Sequence, residues 1–564
     1  MNLPDLTTKL AWLREFERTH GRRLRVLHIG NIAANGYLNA KFLRRYGVEA
    51  DVMSRDYYHV MALPEWEDLD IQQPHGDDND PRFAPSDLKG YRRPDWFFVG
   101  PLPLCAELIE NRYAPLPGLR HAFRRRVLSA TLTIARRFAG DKTGSVLALA
   151  PATPAYFLKR AISFALLRIK PALIHLYNFA KSNAPPPLRS IAGKVRRFLS
   201  EKRKRSKLVN QLGTGSSHPQ QLAASGEPPS SAVTSDPTTA ILAAFDRVFP
   251  QRADRLTAAE IQPHQATASY FERICRHYDI VQCYATEPIF AMLCGKHPYV
   301  AFEHGTLRDF TLADTPLARL NSLAYNQASH CFITNGDCLE YAQKIGVRKF
   351  TPMPHPIDVE QHRMEMDQEI GRMRRSFGAD VVLFCPVRHD YAVKGTDVHV
   401  RAIPLIKDRL KAQGKTVKWV FISWGQQVAE SRRMIAEFEC EENVIWRTSM
   451  SRLAMIKHIR GSDVVLDQMA LPHFGSTAPQ CLAAGTPVIS SYEPSSTAWM
   501  FPEPAPILPA FDERGIADAV GLALDSTWKL GYSARARAWM DQFHSPAAVV
   551  AWQLEAYQKA LSDG

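Results

Sequence analysis

The chain has no Cys-x-x-Cys pair. Its nine cysteines (Cys105, Cys275, Cys283, Cys294, Cys331, Cys338, Cys385, Cys440 and Cys481) are scattered along 564 residues. That argues against a zinc ribbon or a disulfide framework and fits a reducing compartment. The opening MNLPDLTTKLAWLREFE has no basic stretch followed by an apolar run, so it does not read as a signal peptide. No uncharged apolar run approaches the roughly 20 residues needed to cross a bilayer. These absences predict a cytoplasmic protein. GxGxxG is also missing: the loop after the first strand runs Gly30-Asn31-Ile32-Ala33-Ala34-Asn35-Gly36, a weak basis for a dinucleotide site. Asp78-Asn79-Asp80 spells a chelating DxD. It sits among Gly, Asp, Asn and Pro after no convincing strand, so it reads as a solvated turn, and no metal is expected.

What is present is a soluble composition, 45% apolar and 23% charged, at a length that implies two or more domains. Strand and helix patterns alternate at both ends of the chain. A leading helix over 6–19 precedes a buried strand at 24–29, a loop, a helix at 37–46 and a strand at 50–53. A further strand is read at 95–99. The α/β rhythm resumes with a helix at 266–277 and strands at 279–284 and 299–302, and continues to a last amphipathic helix ending at 561. Gly30 and Gly36 are candidates for letting backbone approach a ligand.

Between these two α/β stretches the composition changes. Residues 119–263 form an insertion with basic amphipathic segments; residues 189–207 hold nine Lys or Arg against one Glu. Residues 213–240, rich in Gly, Ser, Pro and Gln, read as a disordered linker. The net charge is +13. Two readings stand for the excess: docking on an anionic membrane face, or a helical insertion with solvated charges. Nucleic acid is not expected, because the basic run lacks interleaved aromatics.

The most informative stretch is 462–491. Val464-Val465-Leu466 is a buried strand ending in Asp467, followed by Phe474-Gly475 and by Ser476 and Thr477, which can start a helix. Pro479 suits the first turn and Gly485 the left-handed exit into another strand. A glycine and unpaired amides at such a corner favour an anionic ligand. About 80 residues earlier, Arg388 and Lys394 flank five residues after the strand at 380–387, and Gly395 follows. Preorganised cations of this kind can neutralise the charge a leaving diphosphate develops.

Together, Arg388-x5-Lys394-Gly395 and Phe474-Gly475-x4-Gln480-x2-Ala483-x-Gly485-x-Pro487-Val488-Ile489 resemble the family-4-like retaining glycosyltransferases. The resemblance spans roughly 24–60 and 270–560. It implies the GT-B fold, two facing Rossmann-like domains: residues 1–358 on the acceptor side, 359–544 on the donor side, and a final helix, 545–564, crossing back. It implies a nucleotide-sugar donor, a glycan or lipid-linked acceptor and no metal. It assigns Arg388 and Lys394 to the diphosphate, Ser476 and Thr477 to phosphate or sugar, Gln480 to the ribose and His304, just past a strand end in Glu303-His304-Gly305-Thr306, to the transferred sugar. Two positions depart from the pattern: Gln480 stands where glutamate is usual, and Pro472 where many members have a second glutamate. A binding protein without turnover and a nucleotide-sugar epimerase are the alternatives.

Overall fold

The structure, a computed structural model, describes residues 3–55, 60–71, 90–113, 237–310 and 313–563. Asp78–Asp80 and the basic segments between 121 and 236 lie outside them. Two all-parallel sheets organise the chain. The first contains β1 (Arg25–Ile29), β2 (Glu49–Arg55), β3 (Phe97–Gly100), β4 (Ile280–Tyr284), β5 (Tyr299–Phe302), β6 (His330–Ile333) and β7 (Phe350–Pro352), in the order β3-β2-β1-β4-β5-β6-β7. The second contains β8 (Val381–Cys385), β9 (Val417–Ile422), β10 (Val444–Arg447), β11 (Val464–Leu466), β12 (Val488–Ser490) and β13 (Leu508–Pro509), in the order β10-β9-β8-β11-β12-β13. The strands are short apolar runs because parallel strands are covered on both faces. β4, β5, β6, β8 and β11 are buried at every position. Apolar cores lie on each side of each sheet. Two Rossmann-like domains, each with helices on both faces of a parallel sheet, make this the GT-B architecture.

The last helix, Pro546–Ser562, packs on the first domain although it follows the second in sequence. Val549, Val550, Leu554 and Tyr557 are buried with Phe42, Leu43 and Val300. The Tyr557 hydroxyl donates to Gln282 at 2.7 Å, and Lys9 donates to Gln558 at 2.8 Å. The first domain therefore includes the end of the chain. Among the described residues no helix is long and apolar enough to cross a membrane.

One boundary differs from the sequence reading. The linker was expected to run to 240 and the insertion to 263. A helix, Pro237–Val248, begins inside that linker, and Phe245, Leu256 and Ile261 are buried in the first domain's core. The Ser- and Pro-rich composition up to Asp236 masks an apolar face that starts one residue later.

Candidate functional site

In an open parallel sheet, ligands settle outside the carboxyl ends of the strands, where the strand order reverses. The first sheet reverses between β1 and β4, the second between β8 and β11. Each predicted functional stretch sits at such an end. Gly30 follows β1, His304 lies two residues past β5, Arg388 and Lys394 follow β8, and Asp467 follows β11.

Lys394 and the loop after β11 are bonded together. The Lys394 ammonium donates to Gln468 Oε1 at 2.7 Å, and the Met469 amide donates to the Lys394 carbonyl at 2.8 Å. Gly395 has φ +61°, and a Cβ there would lie 2.9 Å from Met469. Burial lowers the Lys394 pKa; Asp467 opposes that shift and Arg388 adds to it. Lys394 is thus an inward, poorly hydrated cation. Arg388 is different: its side chain is 44% exposed and pairs with Asp390 at 3.2 Å, which puts it at the mouth. Its loop is clamped on the end of β9, where His389 donates to the Trp424 carbonyl at 2.7 Å. Gly425, at φ +119°, admits the His389 backbone, which a Cβ would meet at 2.4 Å.

The helix Thr477–Ala484 starts close to Asp467, a buried carboxylate whose Oδ2 has no protein partner. Burial raises the Asp467 pKa against the pull of Lys394. Ser476 is half-buried and lines a cavity between the domains. Beside Gly475 there is room: a Cβ there would meet nothing within 4 Å. Phe474 does not face that room. Its ring packs with Tyr492, Phe501 and Trp539 in the core. Gln480 is 1% exposed and bonded at both ends of its amide: its NH2 donates to the Ser476 carbonyl at 2.8 Å, and its oxygen accepts from Arg452. A ribose at Gln480 would have to displace Arg452.

On the first domain, the loop after β1 is tight. A Cβ on Gly36 would lie 2.5 Å from the Gly30 carbonyl, so the space gained there is filled by the loop itself rather than left for a ligand. Gly30, at φ +94°, would meet Tyr284 at 3.1 Å. Ala33 and Ala34 also have positive φ, 49° and 60°. Left-handed alanines store strain and recur at functional sites; the glycines at 30 and 36 drew attention away from them. The loop is held by Asn31, which accepts from the Tyr37 amide and donates to the Ala62 carbonyl, both at 2.7 Å.

His304 packs against Tyr284 and Phe302, and its Nε2 has no protein partner. Burial, reinforced by His355, pushes its pKa down to about 3, so it is neutral at physiological pH. Its neighbour Glu303 is fully buried. The carboxylate accepts from the Gly305 amide and from Asn335 and thereby fixes the turn that presents His304; burial raises its pKa to about 7. Arg308, four residues past His304, is bidentate to Asp337 at 2.6 and 2.8 Å. Asp337 in turn lies 3.3 Å from His473 of the second domain.

Several residues escaped the sequence reading. His355 is buried with both ring nitrogens unpartnered, His473 is buried with Nδ1 unpartnered, and both are influenced by Lys394. His355 lines the interdomain cavity with Ala33, Asn35, Glu67, Arg452 and Ser476. The available signal was weak: His355 lies in the proline-flanked PMPHPID, and His473 directly precedes Phe474. Glu67 and Arg452 are 385 residues apart, and nothing local pairs them.

No family model matches the chain, and no curated protein matches it. Solved structures with similar folds include HepE of Anabaena in complex with UDP and glucose. It is 15% identical over 53% of this chain and 83% of that one, with a TM-score of 0.45. A glycosyltransferase of Rickettsia africae is 13% identical over 54% and 82%, at 0.43. Sucrose-phosphate synthase of Thermosynechococcus elongatus is 14% identical over 55% and 81%, at 0.43. These likenesses concern the fold and assign no residue a role.

Proposed function

We propose that the protein is a glycosyltransferase that moves a sugar from a nucleoside-diphosphate donor to a glycan or lipid-linked acceptor. One observation carries the reading. Lys394, an inward ammonium with a lowered pKa, shares the strand-end corner of β8 and β11 with the open space at Gly475. A desolvated cation beside an open glycine and the start of a helix suits a diphosphate, and it strengthens as the leaving group gains charge. Arg388 adds a second cation at the mouth. Neutralisation by these two side chains is the route we infer in place of a metal ion.

His304 is the group for the transferred sugar. A neutral imidazole with a free nitrogen can bond a hydroxyl without repelling an oxocarbenium-like centre. Of the nearby carboxylates, Glu303 is buried and bonded to the Gly305 amide and Asn335, and Asp467 is buried. A displacement on the same face, with retention, therefore fits better than a covalent sugar ester. The membrane face remains the proposed docking partner of the basic insertion, and the cytoplasm the proposed compartment.

A second reading, a binding protein without turnover, is favoured by Gln480, whose amide is spent on Arg452 and Ser476. Thermal shift against a panel of nucleotide-sugars, followed by donor hydrolysis, separates the two. A ligand bound only by the native state raises the melting point. Binding with sugar release supports the transferase; binding without release supports the scaffold; no binding by any nucleotide refutes both.

A further inference from the structure

A cavity of about 690 Å³ opens on the first domain away from the crevice, within the roughly 300–1,000 Å³ of small-molecule sites. Its walls come from the segments that enter three strands. Pro298 precedes β5, Ser329 precedes β6, and Arg348 and Lys349 precede β7. The cavity is therefore at the amino ends of these strands, opposite the carboxyl ends that face the crevice. The helices Pro237–Val248, Pro316–Gln327 and Cys338–Lys344 all finish on it, with Val248, Gln327 and Ile345 in the wall.

Those helix ends supply both kinds of hydrogen-bonding group. The last carbonyls of a helix have no partner within it. The Gln327 side-chain amide and the Ser329 hydroxyl have no protein partner among the described residues. Asn326 spends its NH2 on the Ser322 and Ile345 carbonyls, which leaves its oxygen to accept.

The charge is one-sided. Arg247, Arg348 and Lys349 are exposed on the rim. Among the described residues the lining holds one acid, Asp563, which pairs with Lys349 at 2.8 Å. Arg247 and Arg348 have no carboxylate partner among them. Arg247 stands in the last turn of its helix, where a cation complements the dipole. Arg348, on the loop into β7, has no such duty. Two unpaired guanidinium groups beside this space suit an anion, and a carboxylate matches their fork.

A bare inorganic anion would leave the carbonyls, the free amide and the apolar surface of Val248, Pro298 and Val347 unused. A nucleobase would gain no stacking from Tyr325, which is 1% exposed with its hydroxyl bonded to the Ala285 carbonyl at 2.9 Å. A sugar acid meets every requirement. Its carboxylate takes the guanidinium groups, its hydroxyls donate to carbonyls and accept from the amide, and the C–H faces of its rings cover the apolar residues.

We propose that this cavity is a carbohydrate site remote from the crevice, holding a short acidic oligosaccharide with its carboxylates on Arg247 and Arg348. It does not rest on the donor reading, because it belongs to the first domain alone and lies at the other end of its strands. Calorimetric titration of the full chain tests it with two uronate probes, trigalacturonic acid (α-linked) and a hyaluronan tetrasaccharide (β-linked). Maltotriose is the uncharged counterpart and inorganic phosphate the bare anion. At least one uronate is expected to bind, with maltotriose and phosphate far weaker. Arg247→Ala with Arg348→Ala is expected to weaken that uronate by about tenfold or more through the loss of charge-assisted pairs. The melting temperature should not change, since both side chains are exposed and unpaired. Gln327→Leu, which removes the free amide at similar size, is expected to weaken binding as well. Lys411→Ala with Lys415→Ala removes the same charge from exposed positions of the second domain and is expected to change nothing, which separates the site from general attraction to a chain of charge +13.

No binding of either uronate overturns the proposal. So does equal affinity of wild type and the arginine pair, an equal loss in the lysine pair, or maltotriose or phosphate binding as tightly as the uronate. Vesicles of equal parts phosphatidylcholine and phosphatidylglycerol, held by wild type and released by the arginine pair while no uronate binds, would make this a lipid-headgroup site and also overturn it.

Discussion

Consider Lys394 replaced by methionine, which keeps the length and removes the charge. Binding and folding respond in opposite directions. At an effective dielectric of about 20 and a separation of about 5 Å, an ammonium and a phosphate charge attract by about 3 kcal/mol. Lost from the transition state, that is roughly a 100-fold drop in turnover. Folding has the other sign. Burial holds the folded pKa of Lys394 below its unfolded value, so the charged form is disfavoured by folding, and at neutral pH the charge costs stability. That cost fades only as pH rises through the folded pKa toward 10.5. Methionine removes it at the expense of one hydrogen bond to Gln468. Replacing a buried charge by an apolar group is commonly neutral or stabilising. Calorimetry should give a melting temperature equal to wild type or up to about 4 °C higher. Donor hydrolysis, run with the nucleotide-sugar identified by thermal shift, should fall about 100-fold. Turnover within threefold of wild type would remove Lys394 from the diphosphate. A melting temperature lowered by more than about 5 °C would make it a structural residue.

Acid should unfold the chain well above the carboxylate range. Burial holds His28, His304, His330, His355, His362, His389 and His399 at about 3 to 4. Their contribution is intact above 6.5 and is lost as pH falls toward 4, at about 1.4 kcal/mol per pH unit for each unfolded-state proton. Denaturant melts between pH 7 and 5 check this, and unchanged stability at pH 5 would contradict the burial. Glu303 acts oppositely: its folded pKa of about 7 exceeds the ordinary 4.5, so its contribution is full below 4.5 and lost as pH rises through 7. Relative to Glu303→Gln, wild type should lose up to about 3 kcal/mol between pH 4.5 and 7; parallel curves would refute it. Gly475→Ala should leave the melting temperature unchanged, since its Cβ meets open space, and weaken nucleotide binding at least tenfold by calorimetric titration. Gly36→Ala should cost about 1–3 kcal/mol in urea unfolding, because its Cβ strikes the Gly30 carbonyl.

The elements were legible because parallel strands must be apolar throughout. Val464–Leu466 and Val381–Cys385 lie in the stretches read as strands, 464–466 and 380–387, from their apolar runs. The start of the helix at 237 was not legible, since the Ser- and Pro-rich stretch before it hides where packing begins. Within the site, Lys394 was singled out by the Arg388-x5-Lys394-Gly395 spacing, and the structure turns its ammonium toward Gln468. The inward ring of Phe474 and the occupied amide of Gln480 were not legible. Their residue types suit a ligand, but their hydrogen bonds are settled by distant neighbours.

Sequence alone determined most of the strands and the two cations after β8, because those depend on local periodicity and on what sits at a strand end; the division into two Rossmann-like domains is what the resemblance implied. Only the tertiary structure decided which polar groups are free. The Arg452 charge is balanced by Glu67 from the other domain, and Arg452 also bonds the Gln480 oxygen. Buried polar groups must find partners wherever the fold brings them, and sequence distance gives no notice of where that is.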